Sequence, residues 1–134
     1  MTEQCRVAAV RTLLVILRFT VKAEDRARVL ARVGTELARG SSCHARSLYL
    51  KMAEMALMLF SRSYFKQNFY TELLCLAGDP VANIRLKVVT LLPQLKALLS
   101  LPSDRTCLLH LEETIKQLLV VETDRDVLAA LQVS

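Results

Sequence analysis

The chain has 134 residues, 53% of them hydrophobic and three of them glycine, enough apolar side chain for one buried core with no composition shift that calls for two domains. Its net charge of +5 hides an asymmetry, since residues 1 to 66 hold 12 Lys or Arg against 5 acids and residues 67 to 134 hold 6 against 8. No apolar run reaches the roughly 18 residues of a membrane-spanning helix, and four cysteines without a C-x-x-C spacing, beside two histidines, offer no zinc site.

Val7, Val10, Leu14, Leu17 and Val21 recur at steps of three and four, which predicts a helix over 3–20. Glu24 and Asp25 open the next segment, where the helix dipole favours acids, and Leu30, Val33 and Leu37 carry its stripe until Gly40 stops it. Ser41 or Ser42 caps a third helix, with Ala45, Leu48, Met52, Met55, Ala56 and Leu59 on one face. After a short connection over Ser61 to Tyr64, Phe65, Phe69, Leu73 and Leu76 form one helical stripe ended by Gly78. Asp79-Pro80 then starts a helix with proline at its first position, lined by Ile84, Val88, Leu91, Leu95 and Leu98 and kinked at Pro93. Ser103 or Asp104 caps a helix bearing Leu108, Leu111, Ile115 and Leu118, and a final helix begins at Val127. The unbranched, aromatic-poor composition and these periods give an all-α class.

The segments repeat. Arg6, Arg46 and Arg85 fall 40 and 39 residues apart, each early in the second helix of a pair, and a period near 40 built from two helices marks a HEAT or armadillo-like α-α superhelix. Residues 1 to 134 are read as a single array of that kind: a helix over 3–20, pairs over 23–60 and 64–99, and a shortened pair over 103–134. Val127, Leu128 and Leu131 are expected to lie uncovered, as in a piece or short form of a longer array, because solenoid repeats bury apolar faces on their neighbours. Arg6, Arg46 and Arg85 are expected to form a structural ladder, each guanidinium bridging to a turn carboxylate such as Asp79 or Asp126.

Catalysis has little to stand on. Cys43-His44 lacks a third group to orient it, Glu112 and Glu113 point about 100° apart on a helix, and no phosphate loop, nucleophile elbow or metalloprotease motif appears. Neither a cofactor nor a metal is implied. Met52, Met55 and Met58 read as core more readily than as an adaptable binding strip. The basic residues of the first half are spread over two helices without interleaved aromatics, which favours a solvated face over a nucleic-acid surface. Exposed turns stacked on a rigid scaffold are where solenoids bind partners, and the turns here are Gly40 to His44, Gly78 to Asn83 and Glu122 to Asp126.

The run Asp79-Pro80-Val81-Ala82-Asn83-Ile84-Arg85-Leu86-Lys87 resembles the D-P-V-x-N-[IV]-R element of phosphatase scaffold and regulatory HEAT repeats. With Leu91-Leu92-Pro93, Phe60-Ser61-Arg62-Ser63-Tyr64-Phe65 and Ile16-Leu17-Arg18-Phe19, nearly the whole chain is similar to the HEAT-like regulatory subunits of protein phosphatase 4. The resemblance implies a non-catalytic, largely cytoplasmic regulatory or scaffold subunit whose intra-repeat turns contact a serine/threonine phosphatase catalytic subunit and further protein partners. Carried over, it points to Asp79, Pro80 and Asn83, and on the equivalent turns to Ser41, Ser42, Asp124 and Arg125. Two other readings are a HEAT adaptor with no phosphatase link and a basic helical domain that binds nucleic acid through its phosphates.

Overall fold

The computed structural model describes residues 3–133, and every element among them is helical. The chain divides into two compact units, one up to Glu72 and one from Leu73 on.

In the first unit, α1 (Glu3–Phe19) buries Val10, Leu14 and Leu17 of the expected stripe, with Val7 half-buried, while Val21 falls beyond the helix and is 90% exposed. Next, α2 (Ala23–Val33) continues into a single π-helical turn over Gly34–Ala38, closed by the Arg39 amide donating to the Gly34 carbonyl at 2.9 Å. Gly34 is buried there, and a Cβ on it would come within 3.2 Å of the Arg39 guanidinium. Ser42 caps α3 (Cys43–Leu59), its hydroxyl accepting from the His44 amide at 3.1 Å. Tyr49, Leu50, Met52, Ala53 and Ala56 of α3 are buried, while Met58 is 87% exposed, so the three methionines share no strip. Both α1 and the π-helical turn pack on α3.

The segment expected as one helix from Phe65 to Leu76 is broken. It forms α4 (Arg62–Asn68) and α5 (Tyr70–Cys75), with Phe69 between them at φ −122°, ψ −28°. The cause is local: Phe69 is fully buried and stands at the centre of a ring cluster, 5.5 Å from Phe65, 6.3 Å from Tyr49 and 6.4 Å from both Phe60 and Tyr64. Filling that cluster outweighs one residue of helical geometry.

In the second unit a 3₁₀ turn over Leu76–Gly78 leads to α6 (Ala82–Ala97), which buries Ile84, Val88, Val89, Leu91, Leu92 and Leu95 and runs through Pro93. Pro80 is not its first residue, because the Asp79 carboxylate accepts the Val81 amide at 2.9 Å and places the helix start beyond it. Ahead of α7 (Arg105–Val121) the expected caps serve another purpose. Asp104 stands at the N-cap position, but its carboxylate accepts the Ser100 amide at 2.7 Å and Ser103 donates to the Ser100 carbonyl at 2.9 Å, so both side chains close the preceding turn and neither bonds an amide of the helix.

The last helix, α8 (Arg125–Val133), overturns a further expectation. Val127 is 0% and Leu131 7% exposed, with Leu128 half-buried, because α8 lies on α6 and covers that face. The exposed apolar residues of this unit instead include Leu109, Leu119, Val120 and Val121 of α7.

Candidate functional site

Two turns share one construction. In the first, the Arg46 guanidinium donates to the carbonyl of Gly40, six residues earlier, at 2.9 Å. In the second, Arg85 donates to the carbonyl of Asp79, again six residues earlier, at 2.8 Å, and to that of Pro80 at 3.1 Å. Each arginine stands in the first turn of a helix and folds back over the turn that feeds it. The backbone carbonyls thus find charged donors in place of water, and the turn is fixed relative to its helix.

Gly40 is required where it stands, since a Cβ would lie 2.5 Å from the Glu36 carbonyl oxygen and 3.0 Å from the Ala45 Cβ. The closeness comes from the Gly40 amide bonding back to Leu37 at 3.1 Å as the helix ends. Beyond it Ser41 and Ser42 are exposed. In the second turn Asp79 is 6% exposed, whereas Pro80 and Asn83 face solvent.

The third turn, Glu122 to Asp126, is held differently. Glu122 sits at the C-terminal end of α7 and meets Arg85 through a two-pronged pair, Nε to Oε2 at 2.7 Å and Nη2 to Oε1 at 3.0 Å. Its side chain is 2% exposed and that of Arg85 18%. Glu122 Oε1 also accepts the amides of Asp124 at 2.9 Å and Thr123 at 3.1 Å. The hydrogen bond from Arg85 holds the Glu122 carboxyl below its ordinary pKa, and the same bond raises Arg85. Asp124 accepts from the amides of Asp126 at 2.9 Å and Val127 at 3.1 Å and so caps α8, which leaves Arg125 exposed beside it.

Arg46 and Arg85 each hold a carbonyl six residues back, and Arg85 in addition takes a carboxylate that the sequence did not single out. Arg85 takes the Glu122 carboxylate, while the Asp79 carboxylate accepts the Val81 amide and Asp126 stands exposed in the first turn of α8. Arg6 is half-buried on α1 without a hydrogen bond among the described residues. The signal for Glu122 was its place at the head of a turn already marked, 37 residues from Arg85 and close to one repeat period.

Of the seven turn residues, Ser41, Ser42, Pro80, Asn83 and Arg125 present side chains to solvent. Asp79 and Asp124 shape the backbone beneath them. Among the described residues no group of three His, Cys, Asp or Glu is placed to hold a metal, and Cys43 is half-buried beside an exposed His44. Nor is any described helix long and apolar enough to cross a membrane.

Over 122 residues, 91% of its length, the chain is 40% identical to the serine/threonine-protein phosphatase 4 regulatory subunit 4 of mouse and 39% identical to that of human. It resembles one stretch of a phosphatase regulatory subunit. The chain spans 14% of the length of either relative. No family model matches it, and no solved structure does.

Proposed function

We propose that this chain is a non-catalytic regulatory or scaffold element of a phosphatase-4-type serine/threonine phosphatase, a cytoplasmic HEAT-like array that holds the catalytic subunit, and further protein partners, on its intra-repeat turns. The observation that carries the proposal is the identity of 40% across 91% of the chain to a regulatory subunit of that phosphatase. An array of stacked pairs is supported by what each unit does separately. In the first, α1 packs on α3, the second helix along, and in the second unit α6 packs on α8 in the same way.

The turns suit the role because they are rigid at the backbone and open at the side chains. Arg46 and Arg85 fix the carbonyls, and Ser41, Ser42, Pro80, Asn83 and Arg125 are left to meet a partner without a large ordering cost. The nucleic-acid reading draws less support, since Arg28, Arg32 and Arg39 are paired with Asp25, Glu36 and Glu72.

Titration of the purified phosphatase 4 catalytic subunit into the chain, followed by calorimetry, tests the proposal. Asn83→Lys and Arg125→Glu, which place bulk or reversed charge on the turns, are expected to weaken binding by about tenfold or more, while Lys116→Glu on exposed α7 leaves it unchanged. No binding by the unmutated chain, or binding that neither turn variant alters, overturns it.

A further inference from the structure

The opposite edge of the first unit carries a surface that the turn edge does not use. The α3 helix begins at the Gly40 to His44 turn and ends at Phe60, about 25 Å away along its axis. At that far end α1 and α3 finish together, with the Arg18 guanidinium donating to the Leu59 carbonyl at 3.4 Å. Arg26, from the start of α2, donates to the Thr20 carbonyl at 3.5 Å. The α1–α2 and α3–α4 turns thus form one edge.

Two properties of this edge are left over once the unit is folded: exposed apolar side chains, and cations without carboxylates. Phe19 at the end of α1, Val21 in the turn after it and Met58 in the last turn of α3 are 73%, 90% and 87% exposed, apolar side chains that solvated turns do not need. The same helix ends and turns carry Arg18, Lys22, Arg26 and Arg62, and among the described residues none of the four is paired with a carboxylate; Arg18 and Arg26 hold carbonyls, and Lys22 and Arg62 make no side-chain hydrogen bond there. The nearest acids in sequence, Glu24 and Asp25, open α2, and Asp25 is turned to Arg28 at 3.5 Å. This contrasts with Arg28, Arg32 and Arg39 further along, each of which has its own carboxylate.

The edge is also stiff and continues into a groove. Phe60 and Tyr64 stack at 4.6 Å across the α3–α4 turn, and Ser61 caps α4 by accepting the Tyr64 amide at 3.2 Å. From there two adjoining clefts of about 260 and 300 Å³ run between α2 and α4, sharing Leu30, Gln67 and Asn68. The Tyr64 hydroxyl is buried at the first of them without a hydrogen-bond partner, and burial raises its pKa against the opposing charge of Arg26. Asn68 already donates one N–H to the Tyr64 carbonyl at 3.0 Å, which orients its amide, and the exposed Gln67 amide beside it offers a donor and an acceptor matched to a peptide backbone, a feature that a lipid surface would leave unused.

We propose that this edge is a docking site for an acidic protein segment, which seats apolar side chains on Phe19, Val21 and Met58, sets carboxylates against Arg18, Lys22, Arg26 and Arg62, and runs its backbone into the groove at Gln67 and Asn68. Charge complementarity selects the partner, and exposed apolar side chains on the same helix ends and turns as cations without carboxylates suit a protein-binding patch. The proposal stands apart from the phosphatase reading, which concerns the other end of α3.

Selection of a random peptide display library on the purified chain tests it. The expected result is enrichment of peptides in which Leu, Phe or Met is flanked by Asp and Glu. For a fluorescein-labelled synthetic copy of the leading peptide, Lys22→Glu/Arg62→Glu and Phe19→Ser each weaken binding by about tenfold or more, while Arg11→Glu changes it by less than about twofold. Circular dichroism confirms that each variant keeps the helical content of the parent. If the double reversal fails to fold, the salt dependence of the unmutated chain decides, since binding through four cations must weaken steeply as salt rises. Enriched peptides without acidic bias, binding that salt and the reversals leave unchanged, or displacement of the peptide by random single-stranded DNA or phosphatidylserine vesicles each overturns the proposal.

Discussion

Replacing Arg85 by alanine should destabilise the second unit far more than replacing any single exposed arginine. The substitution removes both prongs of the pair with Glu122 and the donors to the Asp79 and Pro80 carbonyls. It leaves a carboxylate whose side chain is 2% exposed facing no guanidinium. Breaking one side of a buried ion pair costs about 3 to 5 kcal/mol, and because the Arg85 side chain is 18% exposed the low end applies, about 3 kcal/mol. With a urea m-value of about 2 kcal/mol/M, the midpoint falls by about 1.5 M. Arg28→Ala is the comparison: its pair with Asp25 spans 3.5 Å between side chains 75% and 47% exposed, where an ion pair contributes about 0 to 1 kcal/mol and the midpoint moves by less than about 0.5 M. The assay is urea unfolding followed by far-ultraviolet circular dichroism. Equal midpoints for the two variants would refute the structural role of the Arg85 and Glu122 pair.

Acid tests the same pair from the carboxylate side. Glu122 has a folded pKa below its unfolded value, so its contribution is complete above about pH 4.5 and is lost as pH falls through the folded value; the urea midpoint of the parent should drop over that range more steeply than that of Glu122→Gln. An identical pH profile for the two chains would contradict it. At the glycines, Gly40→Ala places a Cβ 2.5 Å from a backbone oxygen and should cost about 1 to 3 kcal/mol, whereas Gly78→Ala meets nothing within 4 Å and should be neutral or stabilising by up to about 1 kcal/mol, as thermal melts would show. Asp124→Ala removes both cap bonds of α8 and Ser42→Ala the cap of α3, each expected to cost about 0.5 to 2 kcal/mol; melts unchanged in both would show the caps to be energetically idle.

Several residues that act over short sequence distance were legible before the structure, although Pro80 and the side chains of Ser103 and Asp104 serve the turns and not the helices they precede. Gly40 ends a helix, Ser42 caps the next and Asp79 takes an amide just beyond it, all as their types require. The arginines at a period near 40 signalled a repeated device, and two of them hold carbonyls at the same offset. What could not be read depends on three-dimensional neighbours. The interruption at Phe69 follows from rings contributed by α3 and α4, which no period within the segment reveals. Glu122 as the partner of Arg85 requires knowing that α7 ends beside the start of α6. The cover over Val127 and Leu131 depends on α8 folding back on α6, a packing choice that an apolar stripe permits without naming its neighbour.

Hydrogen–deuterium exchange on the chain, alone and with the phosphatase 4 catalytic subunit, bears most directly on the proposed regulatory role. Bound phosphatase should slow exchange at Ser41 and Ser42, around Pro80 to Asn83 and at Asp124 to Asp126, and leave the middle of α3 and α7 unchanged. Protection absent from all three turns, or confined to helices away from them, would contradict a partner held on the turns.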